Sequence, residues 1–388
     1  MMAALACDVL ILGGGPAGSA AALTAARAGL HVILLERCHF PRFRPGETLH
    51  PGLEPLLDRL GVGAALRLPG SLRHPGVWIV WDGPERFEPF GGDALGPWFG
   101  FQVSRDDFDM CLLQAAMAAG VDVRPGLAAR AVLVEANRVV GLYTTQGALH
   151  ARYTIDAAGA GHRLARWLDL PIRHYSPPLL ARFGYVAGAC PVRDGAPCLR
   201  ADSTGWTWTA RVAVQRYHWT RLVVPPHRLA PGWRPDEFHG LPDVGAIRGA
   251  NITWRVVEQT AGAGFFLTGD AAAVLDPAAS HGVLRAIMTG MMAAHQIVTL
   301  LRIPASEAAL THAYGRWLAD WFWHDVTRLG AAYQRLGLLD SSTFFVALTQ
   351  SVHRPRHRED PSTSPQNLHE FPRHSPGDPK DFSPWESA

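Results

Sequence analysis

The stretch from Ala6 to Glu36 constrains the fold more than any other part of this 388-residue chain. It reads ACDVLILGGGPAGSAAALTAARAGLHVILLE: an apolar run, a glycine turn, an alanine-rich segment and a second apolar run that ends in an acid. Val9–Leu12 and His31–Leu35 have the length and branching of buried parallel strands. The order of strand, turn, helix and strand predicts a Rossmann-like βαβ unit.

Three glycines in the turn, Gly13, Gly15 and Gly18, follow the GxGxxG spacing. The first lets the chain reverse tightly, the second lets the backbone approach a pyrophosphate, and the third lets the helix pack against the strand. Pro16 suits the first helical turn, whose free N–H groups and positive dipole face the phosphates. Glu36, eighteen residues after Gly18, lies where an acid accepts a ribose 2′-hydroxyl and disfavours a 2′-phosphate. The unit predicts a dinucleotide site.

Bulk composition excludes several classes of partner. A formal charge of +2, with no basic run interleaved with aromatic residues, indicates no nucleic-acid partner. The longest apolar segment, Val283–Leu301, is interrupted by Arg285 and His295, so we expect a buried helix and no transmembrane segment. Five cysteines without a CxxC pair predict neither a metal site nor a disulfide framework. With no signal peptide expected either, the chain is predicted to be cytoplasmic.

A chain of this length predicts two joined domains. After the βαβ unit, a helix over Phe108–Ala119 and an antiparallel meander ending at Ile155 continue the first domain. Further on, strands rich in Trp, Tyr and Arg, the last over Asn251–Val256, predict a sheet with one face free to line a pocket. The predicted boundaries are 1–75, 100–174 and 262–305 for a discontinuous dinucleotide-binding domain, 76–99 and 175–261 for a substrate-binding sheet domain, 306–350 for C-terminal helices and 351–388 for a disordered tail.

Five motifs occur in one order along the chain: GGGPAG at Gly13–Gly18, FPRFRPGET at Phe40–Thr48, VSRDDFD at Val103–Asp109, IDAAG at Ile155–Gly159 and GDAAAVLDP at Gly269–Pro277. Together they resemble the flavoprotein monooxygenase and halogenase superfamily. The resemblance implies an α/β fold, in which a glutathione-reductase-type FAD-binding domain is interrupted by a mainly antiparallel substrate sheet and followed by C-terminal helices. It also implies that the dinucleotide is FAD.

The resemblance assigns FAD contacts residue by residue. Arg44 and Glu47 match a loop beside the cofactor, Arg105 matches an arginine that contacts FAD, and Asp270 matches the aspartate that bonds ribityl or ribose hydroxyls. Pro277 and Gly282 mark the turn into a helix below the isoalloxazine, whose N-terminal N–H groups can hold negative charge on reduced flavin. The complete set of predicted FAD contacts is Gly13, Gly15, Pro16, Ala17, Gly18, Glu36, Arg37, Arg44, Glu47, Arg105, Asp270, Pro277, Gly282 and Val283.

Within the superfamily, the phrases GETLHPGLEPLLDRLGV, NITWR and DPAASHGVLRAIMTGMMAAH look most like a halogenase-related branch. That branch includes maturation flavoproteins that hydroxylate a tryptophan of a partner polypeptide on the way to a quinone cofactor. Family halogenases carry a tryptophan pair before Ile-Pro and a lysine that relays hypochlorous acid. Here Trp206 and Trp208 are followed by Thr209-Ala210-Arg211, and the only lysine is Lys380, in the predicted tail. This favours oxygenation over halogenation.

The resemblance therefore implies an FAD-dependent monooxygenase that acts through a flavin C4a-hydroperoxide on an electron-rich aromatic substrate. The substrate is a small molecule or a tryptophan side chain of a partner protein undergoing maturation. Since only one dinucleotide fingerprint is present, NADH or NADPH binding transiently, or a separate reductase, supplies electrons. Alternatives are a halogenase-like enzyme, a saturase of the geranylgeranyl reductase type and a flavin-holding assembly factor.

Three residues are candidates for contact with the reacting groups: His281, Trp206 and Trp208. His281 precedes the flavin-facing helix, where an imidazole can shift charge near neutral pH. Its structural alternative is a capping or supporting histidine. Trp206 and Trp208 have strand spacing and therefore point to one face, where they line the pocket or pack in the core.

Overall fold

The structure, a computed structural model, describes residues 7–45 and 48–339. Glu47, Lys380, the predicted tail and the end of the predicted C-terminal helices lie outside these residues. The α-helices of the described part are α1 Pro16–Arg27, α2 Leu53–Arg59, α3 Arg105–Ala118, α4 Arg163–Trp167, α5 Gly282–Arg302 and α6 Glu307–Arg335.

The strands of the described part are, in chain order, β1 Cys7–Leu12, β2 Val32–Glu36, β3 Thr48–Leu49, β4 Leu72–His74, β5 Gly76–Val80, β6 Arg86–Pro89, β7 Gly92–Asp93, β8 Gly96–Pro97, β9 Gly100–Gln102, β10 Asp122–Pro125, β11 Ala129–Glu135, β12 Arg138–Thr144, β13 Gly147–Asp156, β14 Ile172–His174, β15 Leu180–Ala187, β16 Cys198–Asp202, β17 Gly205–Ala213, β18 Arg216–Val223, β19 Arg248–Asn251, β20 Arg255–Val257, β21 Ala261–Gly262, β22 Phe265–Leu267 and β23 Ala273–Val274.

The first sheet contains five parallel strands in the order β10-β2-β1-β13-β22. Leu12 at the end of β1 pairs with Leu35 of β2 on one side and with Asp156 of β13 on the other. The apolar run of β1 is buried, as expected for a central strand of a parallel sheet. β13 continues at its other end into an antiparallel meander with β12 and β11. The βαβ unit and the α/β fold class are confirmed.

Helix α5 lies against α1 and α6. The two helices α5 and α1 approach closely at Gly290, where an added Cβ atom would lie 2.2 Å from the carbonyl oxygen of Ala17. By length and apolarity alone, α5 is the one helix of the described part that could cross a membrane, but 56% of its most apolar window is buried inside the protein. A core helix passes the same test, and the packing of α5 is that of a core helix.

A second sheet follows the order β19-β15-β18-β17-β16-β5-β6 and is antiparallel except between β16 and β5. It combines Gly76–Pro89 with later strands of the chain, so its register cannot be set by local sequence alone. The predicted strand over Asn251–Val256 is wrong: β19 ends at Asn251, and Arg255 belongs to β20 in a separate three-stranded sheet. The Asn251 side chain accepts the N–H of Thr253 at 3.0 Å, and this Asx turn ends the strand.

Helix α3 begins at Arg105, three residues before its predicted start at Phe108. Ser104 has an extended backbone at the N-cap, and the first turn contains Asp106 and Asp107. Acidic side chains in a first turn interact favourably with the positive end of the helix dipole. The polar residues Ser104–Asp107 therefore start the helix, although they lack the apolar periodicity used to predict it.

Candidate functional site

A cavity of about 460 Å³ lies between the carboxyl ends of β1, β2 and β13 and one face of the second sheet. In open α/β sheets, ligands bind outside the carboxyl ends of the strands. We call its first boundary the turn side, formed by the glycine turn and neighbouring loops: Gly13, Gly15, Pro16, Ala17, Glu36, Arg37, Arg42, Arg44, Arg105, Asp270, Pro277, Gly282 and Val283. The opposite boundary is the sheet wall, formed by Ala181, Phe183, Trp206, Trp208, His218, Thr220, Ala250 and Ile252.

The glycine turn is set by close backbone contacts. Gly13 has φ +107°, and a Cβ atom there would lie 2.5 Å from the carbonyl oxygen of Ala157. At Gly18 an added Cβ would lie 1.8 Å from the carbonyl oxygen of Gly13. Gly18 does not line the cavity, so its part is to let α1 pack against the turn, whereas Gly13 and Gly15 face the open space.

Glu36 ends β2 with a buried carboxylate at the cavity wall. Its two oxygens accept the N–H groups of Gly14 and Cys38, each at 2.9 Å. The acid thus ties the glycine turn to the end of β2 as well as facing the cavity. The adjoining Arg37 is exposed and also lines the cavity.

Arg42 is a charged residue of the turn side that the sequence motifs did not single out. Its Nε and Nη1 atoms are buried and have no hydrogen-bond partner, while Nη2 lies 3.4 Å from Asp109 Oδ2 and Nε lies 3.8 Å from Glu36 Oε2. Burial lowers the pKa of Arg42 from its ordinary value, since desolvation penalises the cation. A buried guanidinium with unsatisfied N–H groups at a cavity wall fits an anionic ligand.

Arg105, at the start of α3, holds Asp109 one helical turn further on. Its Nε and Nη2 atoms donate to the two carboxylate oxygens at 2.9 and 3.2 Å, and Nη1 donates to the carbonyl oxygen of Pro45 at 3.3 Å. The fork geometry of arginine makes this bidentate pair rigid. Arg105 therefore connects α3, the Pro45 loop and the cavity.

Asp270 faces the cavity from the turn after β22. Although its side chain is open to the cavity, the surrounding protein desolvates the carboxylate enough to raise its pKa. The positive charges of Arg285, Arg105, Arg255 and Arg44 oppose this effect. Asp270 thus offers a carboxylate acceptor at the cavity within the positive field of several arginines, an arrangement that suits ligand hydroxyl groups.

The turn from Asp276 to Gly282 leads into α5 and forms part of the turn side. Asp276 Oδ1 accepts the N–H of Ala278 at 2.9 Å, and Ser280 has φ +57°. The ring of His281 is buried and its Nδ1 lies 3.2 Å from Asp325 Oδ1 on α6. Ser280 and Gly282 line the cavity, but His281 does not. The imidazole turns towards α6 because a buried polar ring needs a hydrogen-bond partner.

Burial would raise the pKa of Asp325, but the hydrogen bond from His281 and the charges of His281, Arg285 and His324 outweigh it and lower that pKa. His281 therefore has the contacts of a supporting residue. Although it was predicted as a candidate for contact with the reacting groups, its side chain does not line the cavity.

The sheet wall is aromatic and carries no Arg, Lys, Asp or Glu. Trp206 and Trp208 are two positions apart on β17, so they lie on the same face of the strand, and both line the cavity. Trp208 pairs in register with Thr220 of β18, which pairs with Phe183 of β15. His218 is buried beside Tyr185, with ring centroids 4.9 Å apart, and burial lowers its pKa to about 3. Its imidazole is therefore neutral at physiological pH.

Comparison with known proteins agrees with this geometry. Residues 6–194 match a family model described as an FAD binding domain. A tryptophan 2-halogenase of Chondromyces crocatus is 30% identical over 338 residues, which make up 79% of this chain and 64% of that protein. This chain thus spans less than two thirds of that relative.

Solved structures show the same fold. The myxobacterial chondrochloren halogenase, described as a new variant of FAD-dependent halogenases, matches with a TM-score of 0.76 at 25% identity, over 90% of each chain. A peptidyl tryptophan dihydroxylase essential for tryptophylquinone cofactor biogenesis matches with a TM-score of 0.69 at 20% identity, over 87% of this chain and 78% of that one.

The chain therefore carries an FAD binding domain over residues 6–194, and over most of its length it is similar to flavin-dependent halogenases.

The residues of the turn side fit FAD. A pyrophosphate supplies the acceptors that the buried Nε and Nη1 atoms of Arg42 lack. An added Cβ at Gly282 would meet nothing within 4 Å, so the start of α5 leaves room for a ring beside its N-terminal N–H groups. Four arginines against Glu36 and Asp270 suit a ligand that carries negative charge.

Sequence reasoning found much of the turn side of this flavoprotein. Twelve of its predicted FAD contacts line the cavity: Gly13, Gly15, Pro16, Ala17, Glu36, Arg37, Arg44, Arg105, Asp270, Pro277, Gly282 and Val283. Glu47 lies outside the described residues. The reasoning missed Arg42, although it stands in the quoted FPRFRPGET motif. It also missed Phe183, His218 and Thr220, which alternation along β15 and β18 could have grouped with Trp206 and Trp208.

Proposed function

We propose that this protein is a monooxygenase that hydroxylates an electron-rich aromatic substrate, such as a tryptophan side chain of a partner polypeptide. The observation that carries the proposal is a cavity shared by an FAD-fitting turn side and an aromatic wall without lysine. The only lysine of the sequence is Lys380, which lies outside the described residues. The described residues that line the cavity therefore include no lysine for the relay that the family resemblance requires of halogenases.

When bound and reduced, FAD supplies the activation of molecular oxygen. The chain's own residues perform the remaining tasks. Arg42, Arg44 and Arg105 bind the anionic part of the cofactor, and the N-terminal N–H groups of α5 face the charge that develops on the ring. The aromatic sheet wall holds a flat substrate and excludes water from it.

The decisive experiment is single-turnover oxidation of the reduced, FAD-loaded protein with two probes, free tryptophan and a tryptophan-containing peptide, each with and without bromide. Oxygen consumption together with the gain of one oxygen atom in a probe, independent of bromide, is the expected result. Rapid return of the oxidised-flavin absorbance with neither probe modified would show that the aromatic wall does not bind indole, and would count against the proposal.

Halogenation is the second candidate, favoured by the named activity of the tryptophan 2-halogenase relative. In the same experiment it predicts a bromine-containing product that forms only with bromide. A reductase of the saturase type instead predicts reduction of an alkene without oxygen uptake. An assembly factor predicts binding of the peptide with no change in its mass.

We further propose that the protein works in the cytoplasm and takes electrons from NADH, NADPH or a separate reductase. All five cysteines are free thiols, which suits a reducing compartment. To identify the electron donor, the bound flavin is offered NADH alone, NADPH alone or a flavin reductase, and its reduction is measured by the change in flavin absorbance.

A further inference from the structure

Tyr333 of α6 does not line the cavity, but it contacts one residue of the sheet wall and one residue of the turn that leads into α5. Its Oη atom accepts the indole Nε1–H of Trp206 at 2.7 Å and donates to Oδ2 of Asp276. Trp206 belongs to the sheet wall, whereas Asp276 begins the turn into α5. The hydroxyl of Tyr333 thus connects the sheet wall with the Asp276–Gly282 turn.

Asp276 is bound tightly into this arrangement. Its carboxylate is fully buried and accepts from Ala278 N–H on one oxygen and from Tyr333 on the other, with Trp206 Nε1 at 3.4 Å. Burial raises its pKa, and the hydrogen bonds from Tyr333, Ala278 and Trp206 oppose that shift. A buried carboxylate that loses a donor is costly, so the turn depends on the tyrosine.

The phenol ring itself is fixed on two further sides. Its centroid lies 5.5 Å from the ring of Trp254 and 5.8 Å from that of Trp81, both edge to face. Trp81 Nε1 donates to the carbonyl oxygen of the adjacent Ala332 at 2.9 Å. The end of α6 and these two rings therefore hold the hydroxyl of Tyr333 between Trp206 and Asp276.

We propose that Tyr333 is a positioning residue that couples the indole of Trp206 to the Asp276–Gly282 turn, so that the sheet wall and the FAD-facing turn keep one fixed geometry. This inference rests on the proposed function only in taking the cavity as shared by FAD and the substrate. Neither Tyr333 nor α6 touches the cavity, so the effect acts through the two side chains that Tyr333 holds.

The test compares Tyr333→Phe with Tyr314→Phe. Tyr314 is a matched control because it lies on the same helix, is equally buried, and donates its hydroxyl to the carbonyl oxygen of Leu267 at 2.7 Å, outside the cavity wall. We expect both variants to be less stable to denaturant. Only Tyr333→Phe is expected to raise the Kd for FAD, by about tenfold, and to shift the visible absorption band of the bound flavin.

A double variant tests the coupling. Trp206→Phe keeps an aromatic ring in the wall, although a smaller one, and removes the indole N–H that contacts Tyr333 at 2.7 Å and Asp276 at 3.4 Å. Its effect on the flavin band is expected to shrink when it is added to Tyr333→Phe, because the link has already been cut. Equal FAD affinity and equal spectra for Tyr333→Phe and Tyr314→Phe would overturn the inference, as would additive effects in the double variant. If Tyr333→Phe does not fold, Trp206→Phe alone must still shift the flavin band. Failure of the wild-type chain to bind FAD would instead contradict the cofactor assignment.

Discussion

The turn side and the sheet wall bound the same cavity but are built differently. The turn side relies on backbone contacts that exclude even a methyl group at Gly18 and on charged side chains such as Arg42. The sheet wall relies on uncharged side chains, among them Trp208 and His218, carried on strands that pair across the chain. The turn side is therefore sterically fixed and intolerant of substitution, whereas the sheet wall can change its shape one side chain at a time.

The largest expected effect is at the glycine turn. Gly18→Ala places a methyl group 1.8 Å from the carbonyl oxygen of Gly13, and neither backbone can move freely. We expect a loss of about 3 kcal/mol in the free energy of unfolding and loss of FAD binding, measured by urea denaturation and flavin titration. Gly161→Ala is the control, since an added Cβ there meets nothing within 4 Å. If both variants unfold alike, the turn side is not sterically fixed.

Arg42→Leu tests the charged part of the turn side. It removes a buried cation whose Nε and Nη1 atoms lack partners, so we expect FAD to bind roughly tenfold to hundredfold more weakly while the FAD-free protein keeps its stability. Flavin fluorescence quenching measures the Kd. The exposed Arg173, paired with Glu258 outside the cavity, provides Arg173→Leu as a control without effect on FAD. Equal affinity in the two variants would contradict the pyrophosphate assignment.

The sheet wall predicts a pH effect through His218. Its folded pKa of about 3 lies far below the ordinary value of 6.5, so between these values the unfolded chain binds a proton that the folded protein does not. Stability from this group is complete above pH 6.5 and falls on acidification, by about 1.4 kcal/mol at pH 5.5.

His218→Asn should remove that part of the pH dependence in urea unfolding at pH 8 and pH 5.5, while the exposed His31→Asn should not. His74 and His162, whose pKa values are lowered to about 4, act in the same direction, and Asp156, raised to about 6, acts in the opposite one. Because these groups are common to all variants, the difference from wild type isolates His218. If His218→Asn loses as much unfolding free energy between pH 8 and pH 5.5 as the wild type does, the folded protein can hold a protonated His218 in the sheet wall.

The smallest effect is expected at Trp208, which is partly exposed to the cavity. Trp208→Phe removes part of an aromatic surface, so we expect the KM for a tryptophan-containing peptide to rise about threefold to fivefold with no change in the Kd for FAD. Trp323→Phe, on α6 beside Tyr175, is the control and should leave both constants unchanged. A weaker FAD Kd with an unchanged KM would place Trp208 on the cofactor side.

Local motifs predicted the turn side well because its requirements are local. Gly13, Gly15 and Gly18 serve one turn, and Glu36 returns to that turn through a hydrogen bond to Gly14. The roles predicted for Arg105 and Asp270 came from the resemblance, and the structure places both side chains at the cavity. Arg42 escaped notice because its meaning depends on buried atoms without partners, which no spacing reveals.

His281 shows the limit of prediction from position in the chain. It stands immediately before α5, as predicted for a side chain near the reacting groups, but Asp325 lies 44 positions further on and draws the imidazole towards α6. The same holds for Asn251, whose side chain ends a strand that the apolar pattern continues.

The order of residues alone was enough to predict the βαβ unit and much of the turn side, because the glycine turn, the helix N-terminus and the acid at the strand end all lie within Gly13–Glu36. The folded protein was needed to show which aromatic side chains share the sheet wall and that Tyr333 joins Trp206 to Asp276. Those contacts depend on strand register and on the packing of α6, which arise from residues far apart in the chain.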